Sequence, residues 1–501
     1  MMKRLRAAWR AMRGYAAAQD LRTSTNWAPS GGDATAEVGI AAATIARRAR
    51  DAVRNDPYAA RIVDLWTANA VGAGITTRWP NQLHANAWKR WAESAACDAE
   101  GRLDFYGLQA LVMRAVVESG ECFVRFVPAV PNSANPVGLQ LQVLESDHLD
   151  TSRNGVIDGA PTIQGIALGE SGKPIGYWLY AVHPGAAWVV AGSTWKSSDL
   201  IPASDVLHVY RKRRPGQLRD VSWLAPVLMR LRDLSDYESA LLMKAKIEAC
   251  LAAVVTEEGD DTLTGPAANL LRDAQGRAVE TFEPGMILYR RGAGSVEVVN
   301  PSSGGSHAAF ARRALEAAAV GTGLTYDQVS GDLTQANYSS LRAGKIEFRR
   351  LCEQVQYGML IPMLVRPVAE RFHAQGAFLG LWPAEMPDGV SHVPPAHEMI
   401  DPLKDTNALI AQVRAGFVPQ SEAVASFGYD FRAAIEMIRE ANALLDDAGI
   451  ALDTDPRRVA KSGAAQDPAQ IAAIEIAATG AALPESESKD DVALPASASE
   501  E

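Results

Sequence analysis

The sequence is poor in the residues that cross-linked, membrane-spanning or catalytic proteins rely on. Of 501 residues only four are cysteine: Cys97, Cys122, Cys250 and Cys352, far apart and with no CxxC pair. This spacing argues against a disulfide framework or a cysteine zinc site, and each thiol is expected as a small buried apolar group in a reducing compartment. No apolar run reaches the ~18 residues needed to span a bilayer. The N-terminal stretch MMKRLRAAWRAMRGYAAAQ is basic and amphipathic, but Arg10 and Arg13 interrupt the apolar segment that a signal peptide requires. It reads as a flexible or partner-docked arm, with contact to membrane or nucleic acid as the other use of such a segment. Positive charge is also in deficit, with 49 Lys and Arg against 59 Asp and Glu for a formal net charge of -10. A protein that grips nucleic acid over its whole surface is therefore not expected; the net charge does not exclude a local basic patch.

Catalytic signatures are missing as well. GESGKP has part of a phosphate loop, but Ala167 stands where the first glycine is needed and Pro174 where the hydroxyl should be. A β-turn is the better reading. HEMID begins like a zinc helix, yet Asp401 replaces the second histidine and Pro394 and Pro395 disfavour a helix just upstream. GESGK is not a nucleophile elbow. LESDHLD, with Glu145, Asp147, His148 and Asp150, could hold a metal, but a solvated strand end is the simpler expectation.

What is present is a regular alternation of element types. Hydrophobic residues make up 48% and charged residues 22%, the balance of a globular protein, and the length suits two or three domains. A helix is expected over 41–53. Asp56 as N-cap and Pro57 as first residue open the next, with Ile62, Leu65, Trp66 and Asn69 in a stripe and Gly72 and Gly74 after it. A further helix is expected near 108–119. ECFVRFVPA and LQLQVLESDHLD read as strands, IQGIALGESGKPIGYWLYAV as a hairpin turning at ESGKP, and VLHVYRKR as a short strand. The region from about 50 to 222 is thus α+β.

From 223 to 250 the pattern is helical, with Leu224, Leu228, Leu231, Leu234, Leu241 and Leu242 on one broad apolar face. Short strands return over 251–300, and a helix follows over about 307–320. A polar loop, GDLTQANYSSLRAG, then leads into a long helix over 338–373, which Pro362 and Pro367 should kink. Helices are expected near 405–415 and 420–448. After about 454 the chain turns to Ala, Ser, Pro and acid and reads as a disordered tail.

Two basic clusters are candidates for contact. RKRRPGQLR carries Arg211, Lys212, Arg213 and Arg214, which would either meet phosphates or a neighbour's acids, or form a solvated loop. Arg342, Lys345 and Arg349 share one face of the long helix and would face DNA or pair with carboxylates.

Taken together, RNDPYAARIVDLWTANAVGAGI, CDAEGRLDFYGLQALVMRAVVESGECFVRF, LQVLESDHLD, DVLHVYRKRRPGQLRDVSWLAPVLMRLRDLSDYESALLMKAKIEACLAAVV, SGDLTQANYSSLRAGKIEFRR and DPLK resemble the lambda-like portal proteins of tailed bacteriophages. The resemblance runs from about residue 50 to 445. It implies an α+β portal fold: an α/β wing, a two-helix stem, a small α/β clip, a tunnel loop with a long helix behind it, and a helical crown. Carried onto this chain it implies a basic arm at 1–50, a wing at 51–222, stem helices at 223–250 and 304–323, and a clip at 251–303. It further implies a tunnel loop at 324–337, a long helix at 338–376, a C-terminal wing return and crown at 377–453, and an acidic tail at 454–501.

The implied function is a ring, expected as a dodecamer, at one capsid vertex through which double-stranded DNA is packaged and ejected. The implied partners are the terminase large subunit, a head–tail adaptor, the major capsid and scaffold proteins, and DNA held without sequence preference. No cofactor, no metal, no enzymatic activity and no membrane span are expected. The resemblance puts Thr334, Gln335, Asn337, Arg342 and Lys345 near the channel, and Leu228, Leu231 and Leu241 in the packing of the stem. A channel surface should be weakly binding, because many cations there would hold phosphates tightly. The competing expectation is a metal-dependent nucleic-acid hydrolase built on LESDHLD.

Overall fold

A computed structural model describes residues 29–186, 197–249, 253–257, 287–291, 296–298, 307–334, 337–396, 401–429, 431–450 and 452. The arm up to residue 28, Cys250, Gln335, the HEM of HEMID, most of 251–303 and the tail at 454–501 lie outside the described residues. The chain divides into two compact units, residues 1–406 and 407–501.

The first unit opens with helix α1 (Ala34–Asn55), capped by the Asp33 carboxylate, which accepts from the Ala36 N–H at 2.7 Å. Its small residues Ala42, Ala46 and Ala49 are buried, so the helix approaches its neighbours closely. Helix α2 (Pro57–Ala70) begins as its cap residues require: Asp56 accepts from the Tyr58 and Ala59 N–H groups. Strand β1 (Thr76–Arg78), helix α3 (Gln82–Ala92) and helix α4 (Phe105–Ser119) follow, and α4 stops at Gly120 in the left-handed region at φ 97°. A Cβ at Gly120 would lie 2.4 Å from the Val221 backbone carbon, so only glycine fits this turn.

Strands β2 (Glu121–Pro128) and β3 (Leu139–Glu145) pair antiparallel. Next come β4 (Gly155–Ile157), β5 (Ala160–Ile163), β6 (Ile166–Leu168), β7 (Pro174–Tyr180) and β8 (Ser198–Pro202), which form a five-stranded antiparallel meander in sequence order. The ESGKP turn closes with the Gly169 N–H donating to the Lys173 carbonyl at 2.9 Å. Strand β9 (Val206–Tyr210) returns to β2, giving a three-stranded sheet in the order β3-β2-β9. Strand periodicity sets β2 between two cores. Cys122, Val124 and Phe126 face the main core, while Phe123 belongs to a smaller one with Ile166, Tyr177, Leu179 and Val206.

Helix α5 (Leu228–Ala249) starts five residues later than the pattern suggests, because 223–227 forms turns around Pro226. Strands β10 (Ala253–Glu257), β11 (Ile287–Arg291) and β12 (Val296–Val298) form a sheet in which β10 pairs parallel with β11 and antiparallel with β12. Helices α6 (His307–Thr322), α7 (Tyr326–Ser330) and α8 (Tyr338–Val355) follow. The expected proline kinks take a specific form. The helix passes without a break into a π-helical stretch, Gln356–Val365, which contains Pro362, and then into helix α9 (Arg366–Phe378), where Pro367 occupies the first turn. The wider π turn gives the proline ring and the freed carbonyl room that α geometry denies. The stretch buries Met359, Leu360, Ile361, Leu364 and Val365. Strand β13 (Ser391–Val393) pairs antiparallel with β1.

The main core joins helices α1–α4, β2 and β3, the start of α5, α6, α8 and α9. At its centre Trp66 packs edge-on against Trp223 (4.9 Å) and Phe348 (5.1 Å), and donates from Nε1 to the Thr322 carbonyl at 2.9 Å. One tryptophan thus ties α2, the approach to α5, the end of α6 and helix α8. Cys97, Cys122 and Cys352 are buried, and burial pushes the thiols of Cys97 and Cys352 up to about 12, which keeps them unreactive.

The second unit contains most of helix α10 (Pro402–Arg414), helix α11 (Gln420–Ala425) and helix α12 (Phe431–Asp447). Ala423 is the only residue fully buried among its described residues.

Candidate functional site: a loop and helix with locally satisfied polar groups

The polar loop after α6 is more ordered than its composition suggests. Gly323, at φ 76°, ends α6, and Thr325 caps α7 with a reciprocal box in which the Thr325 N–H donates to Gln328 Oε1 at 2.9 Å. Gly331, at φ 72°, ends α7. Asp332 then organises the turn. Its Oδ1 accepts from the Thr334 N–H at 3.0 Å and from the Thr334 hydroxyl at 2.6 Å, and its Oδ2 accepts from the Tyr326 hydroxyl at 3.4 Å. Those bonds hold the Asp332 carboxyl below its usual range. Arg312 lies over the Tyr326 ring at 4.9 Å, so α6 supports the loop from beneath.

Asn337 caps α8: its Oδ1 accepts from the Ser340 N–H at 2.8 Å, while the Ser340 hydroxyl accepts from the Asn337 N–H at 3.3 Å. Thr334 and Asn337 are therefore exposed but not idle, since their own turns engage the Thr334 hydroxyl and the Asn337 Oδ1. Glycine at position 344 is a packing requirement, because a Cβ there would meet Thr325 Cγ2 at 2.8 Å.

The cations behave differently from one another. Arg342 is half-buried and pairs with Asp405 at 2.9 Å, so carboxylate pairing is realised there. Lys345 is exposed, one turn along.

The Arg211–Arg214 cluster is knitted into the protein. Arg211 lies over the Trp223 ring at 5.0 Å, and burial followed by the nearby Arg213 lowers its pKa. Arg213 Nε stands 3.6 Å from Asp220, and Arg214 pairs with Glu37 of α1 at 2.5 Å. The N–H groups of Arg213 and Arg214 both donate to Gln217 Oε1. Lys212 is exposed.

Beneath this turn lies a buried ionic group that the spacing of the sequence does not reveal. Glu121 accepts from Arg219 Nε at 2.9 Å and sits 3.0 Å from His208 Nε2, and all three side chains are almost fully buried. Burial alone would raise the Glu121 carboxyl; Arg219 and His208 outweigh it and hold it at about 2. Asp220 next door goes the other way. Burial pushes it up to about 6, and its Oδ2 has no hydrogen-bond partner.

LESDHLD is not a solvated strand end, because Ser146, His148 and Asp150 are buried. Nor are its four candidate ligands gathered together. His148 Nδ1 bonds the Tyr180 carbonyl at 3.0 Å, and Asp150 accepts from the hydroxyls of Ser152 (2.5 Å) and Ser198 (2.6 Å). The ligand atoms that do converge are those of Glu145, Asp147 and His183. The Arg50 guanidinium already stands among them, 3.2 Å from Glu145 and 2.5 Å from Asp147. It already supplies positive charge at the point where a metal would sit, and offsets part of the charge of the two carboxylates.

The profile of the lambda family of phage portal proteins matches residues 20–356. The chain belongs to that family. A probable portal protein of Halomonas phage phiHAP-1 is 27% identical over 422 residues, 79% of this chain and 80% of the relative. Portal protein B of Escherichia phage lambda is 23% identical over 343 residues, 60% of this chain and 62% of the relative. The portal protein of Escherichia phage N15 is 22% identical over 444 residues, covering 77% and 81%. Among solved structures, the neck of a native gene transfer agent particle, computed with C12 symmetry, aligns at 17% identity and TM-score 0.41, covering 76% of this chain and 93% of that one.

Proposed function

We propose that this portal-family chain forms a closed ring, with twelve copies expected, at one vertex of a phage capsid, and that double-stranded DNA enters and leaves through its centre. The reading gives the chain a terminase large subunit as its partner during packaging and a head–tail adaptor afterwards, with capsid and scaffold proteins around it. Virion residence follows, with assembly in the host cytoplasm. The role is structural rather than catalytic. The observation that carries the reading is the family match across residues 20–356, which takes in the loop 324–337 and the start of the helix behind it.

Within this reading residues 51–222 form the wing, 223–250 and 304–323 the stem, 251–303 the clip, 324–337 the tunnel loop, 338–376 the long helix and 377–453 the wing return and crown. Thr334, Gln335, Asn337, Arg342 and Lys345 belong to the channel side. Local engagement of Thr334, Asn337 and Arg342 suits that role, because groups already paired hold passing phosphates weakly. Leu228 and Leu231, 9% and 2% exposed, pack the stem against its own chain, and Leu241 is half-buried farther along. The apolar surface left for neighbouring subunits is instead Met229, Leu242 and Met243 on α5 and Phe310 and Val320 on α6. Within the patch Arg211, Lys212, Arg213 and Arg214, the exposed Lys212 is the cation offered to a partner's acid.

Native mass spectrometry of the purified chain tests the proposal. A closed ring of about twelve copies supports it; a monomer that also fails to assemble with capsid and scaffold protein overturns it. Deleting 326–336 should leave the ring intact and abolish DNA packaging, whereas loss of the ring would remove the channel-loop assignment.

A further inference from the structure

A cavity of about 280 Å³ lies at the end of strand β2. Strand β9 begins at Val206, opposite Arg125, so β2 runs on to Pro128 with no partner strand on that side. The end of β8, the start of β3 and helix α9 supply the rest of the wall.

The wall divides by chemistry. Phe126, Leu139, Ile201 and Pro202 give it apolar surface, and its polar side chains are Arg125, Arg371, Gln375 and Asp205. Arg371 is held on two sides. Its Nη2 stands 3.2 Å from Asp205 Oδ1, and its guanidinium carbon lies 5.4 Å from the centre of the Phe126 ring. Asp205 engages one nitrogen only, and Arg371 Nε has no hydrogen-bond partner. The side chains of Arg125 and Gln375 form no hydrogen bond or ion pair among the described residues. Gln375 lies one turn along α9 from Arg371, and it and both arginines are half-buried. Two guanidiniums thus face one carboxylate, and the lining carries more positive charge and more N–H groups than it can satisfy itself.

A guanidinium fixed at one nitrogen presents its other N–H groups in a set plane, the geometry that pairs with a carboxylate. The apolar wall narrows the ligand further. A hydrated inorganic anion gains nothing from Phe126 and Ile201, whereas an aliphatic chain does. The volume lies just below the range of pockets for drug-sized ligands, so the body is a few carbons long.

We propose that this cavity binds a carboxylate with a short aliphatic body. Arg371 and Arg125 hold the carboxylate, and Phe126 and Ile201 cover the chain. A free aliphatic acid offers this chemistry, and so does the C-terminus of a protein that ends in an aliphatic residue.

Isothermal titration calorimetry on the full chain tests the site with hexanoate, hexanamide, inorganic phosphate and a pentapeptide of four alanines and a C-terminal leucine. Hexanoate should bind saturably, with hexanamide and phosphate weaker by about tenfold or more. Arg371→Gln and Arg125→Gln should each weaken hexanoate by about tenfold or more. Arg371→Lys keeps the charge without the planar fork and should recover only part of the loss. Gln375→Glu places a carboxylate within reach of Arg371 and should block hexanoate. It keeps both arginines, so it stays informative if an arginine variant fails to fold by circular dichroism. A peptide that binds more tightly than hexanoate assigns the site to a protein C-terminus, and weaker peptide binding assigns it to a free acid; both support the site. Absence of saturable binding by hexanoate and peptide overturns it. So does a hexanoate affinity that the folded variants leave unchanged, or one that hexanamide or phosphate equals.

Discussion

The two units differ in how they hold themselves together. In the first, aromatic rings interlock around Trp66, two cores share strand β2, and even a carboxylate is buried with its arginine and histidine. In the second, amphipathic helices leave Ile435, Met437, Ile438 and Leu444 largely in solvent, and only Ala423 is fully covered among the described residues. The first unit therefore carries its own stability. The second presents apolar surface whose burial needs something outside the unit. A substitution should cost stability in one and assembly in the other.

The largest effect is expected at Glu121. Glu121→Ala leaves Arg219 buried without a counter-charge and should cost about 3–5 kcal/mol, read from urea denaturation. The same carboxylate gives an acid signature. Its folded pKa, about 2, lies below the unfolded value, so its contribution is complete above about pH 5 and is lost as pH falls toward 2. Stability of the parent should fall through that window, and the variant should fall less.

Leu231→Ala, within the buried start of α5, should cost about 3 kcal/mol by the same assay, with only part of it recovered by relaxation. Asp220→Asn should act in the opposite direction. A carboxyl raised to about 6 favours its neutral form, so folding is penalised as pH rises through the range from 4 to 6. The amide should stabilise the protein by on the order of 2 kcal/mol at pH 7 and show no gain below pH 4. A gain that does not vary with pH would mean that Asp220 stays ionised throughout. The smallest effect on folding belongs to the second unit. Ile438→Ser should change the unfolding midpoint of the monomer by no more than about 0.5 kcal/mol. A large loss would show that the unit buries this residue itself, and the contrast between the units would fail.

Much of the first unit is legible from residue order because the signals are local. Asp56 before Pro57 marks a helix start, ESGKP marks a turn, and the apolar alternation of ECFVRFVP marks a strand with two buried faces. Boundaries shift where a local rule competes with packing. Pro226 delays the start of α5, and the π stretch around Pro362 carries the long helix through a residue expected to bend it. The polar loop is also readable as a loop, but not its internal caps, which depend on Asp332 and Ser340 being in place to accept and donate.

The ionic sites are the least legible part. Glu121, His208 and Arg219 are separated by 87 and 98 positions from Glu121 to its two partners, and no spacing links them. LESDHLD looks exposed by composition, yet the fold buries five of its seven residues and sets Arg50, from a distant helix, between Glu145 and Asp147.

The sequence by itself determined the α+β order of elements, the helix caps and the portal-family character, because each rests on neighbours within a turn or two or on a pattern of stretches in order. Tertiary structure alone decided which carboxylates the arginines pair with, which leucines of α5 are already covered, and which carboxylates are held charged or driven toward neutrality. Those outcomes depend on burial and on counter-charges brought from far along the chain, and only the packed chain sets both.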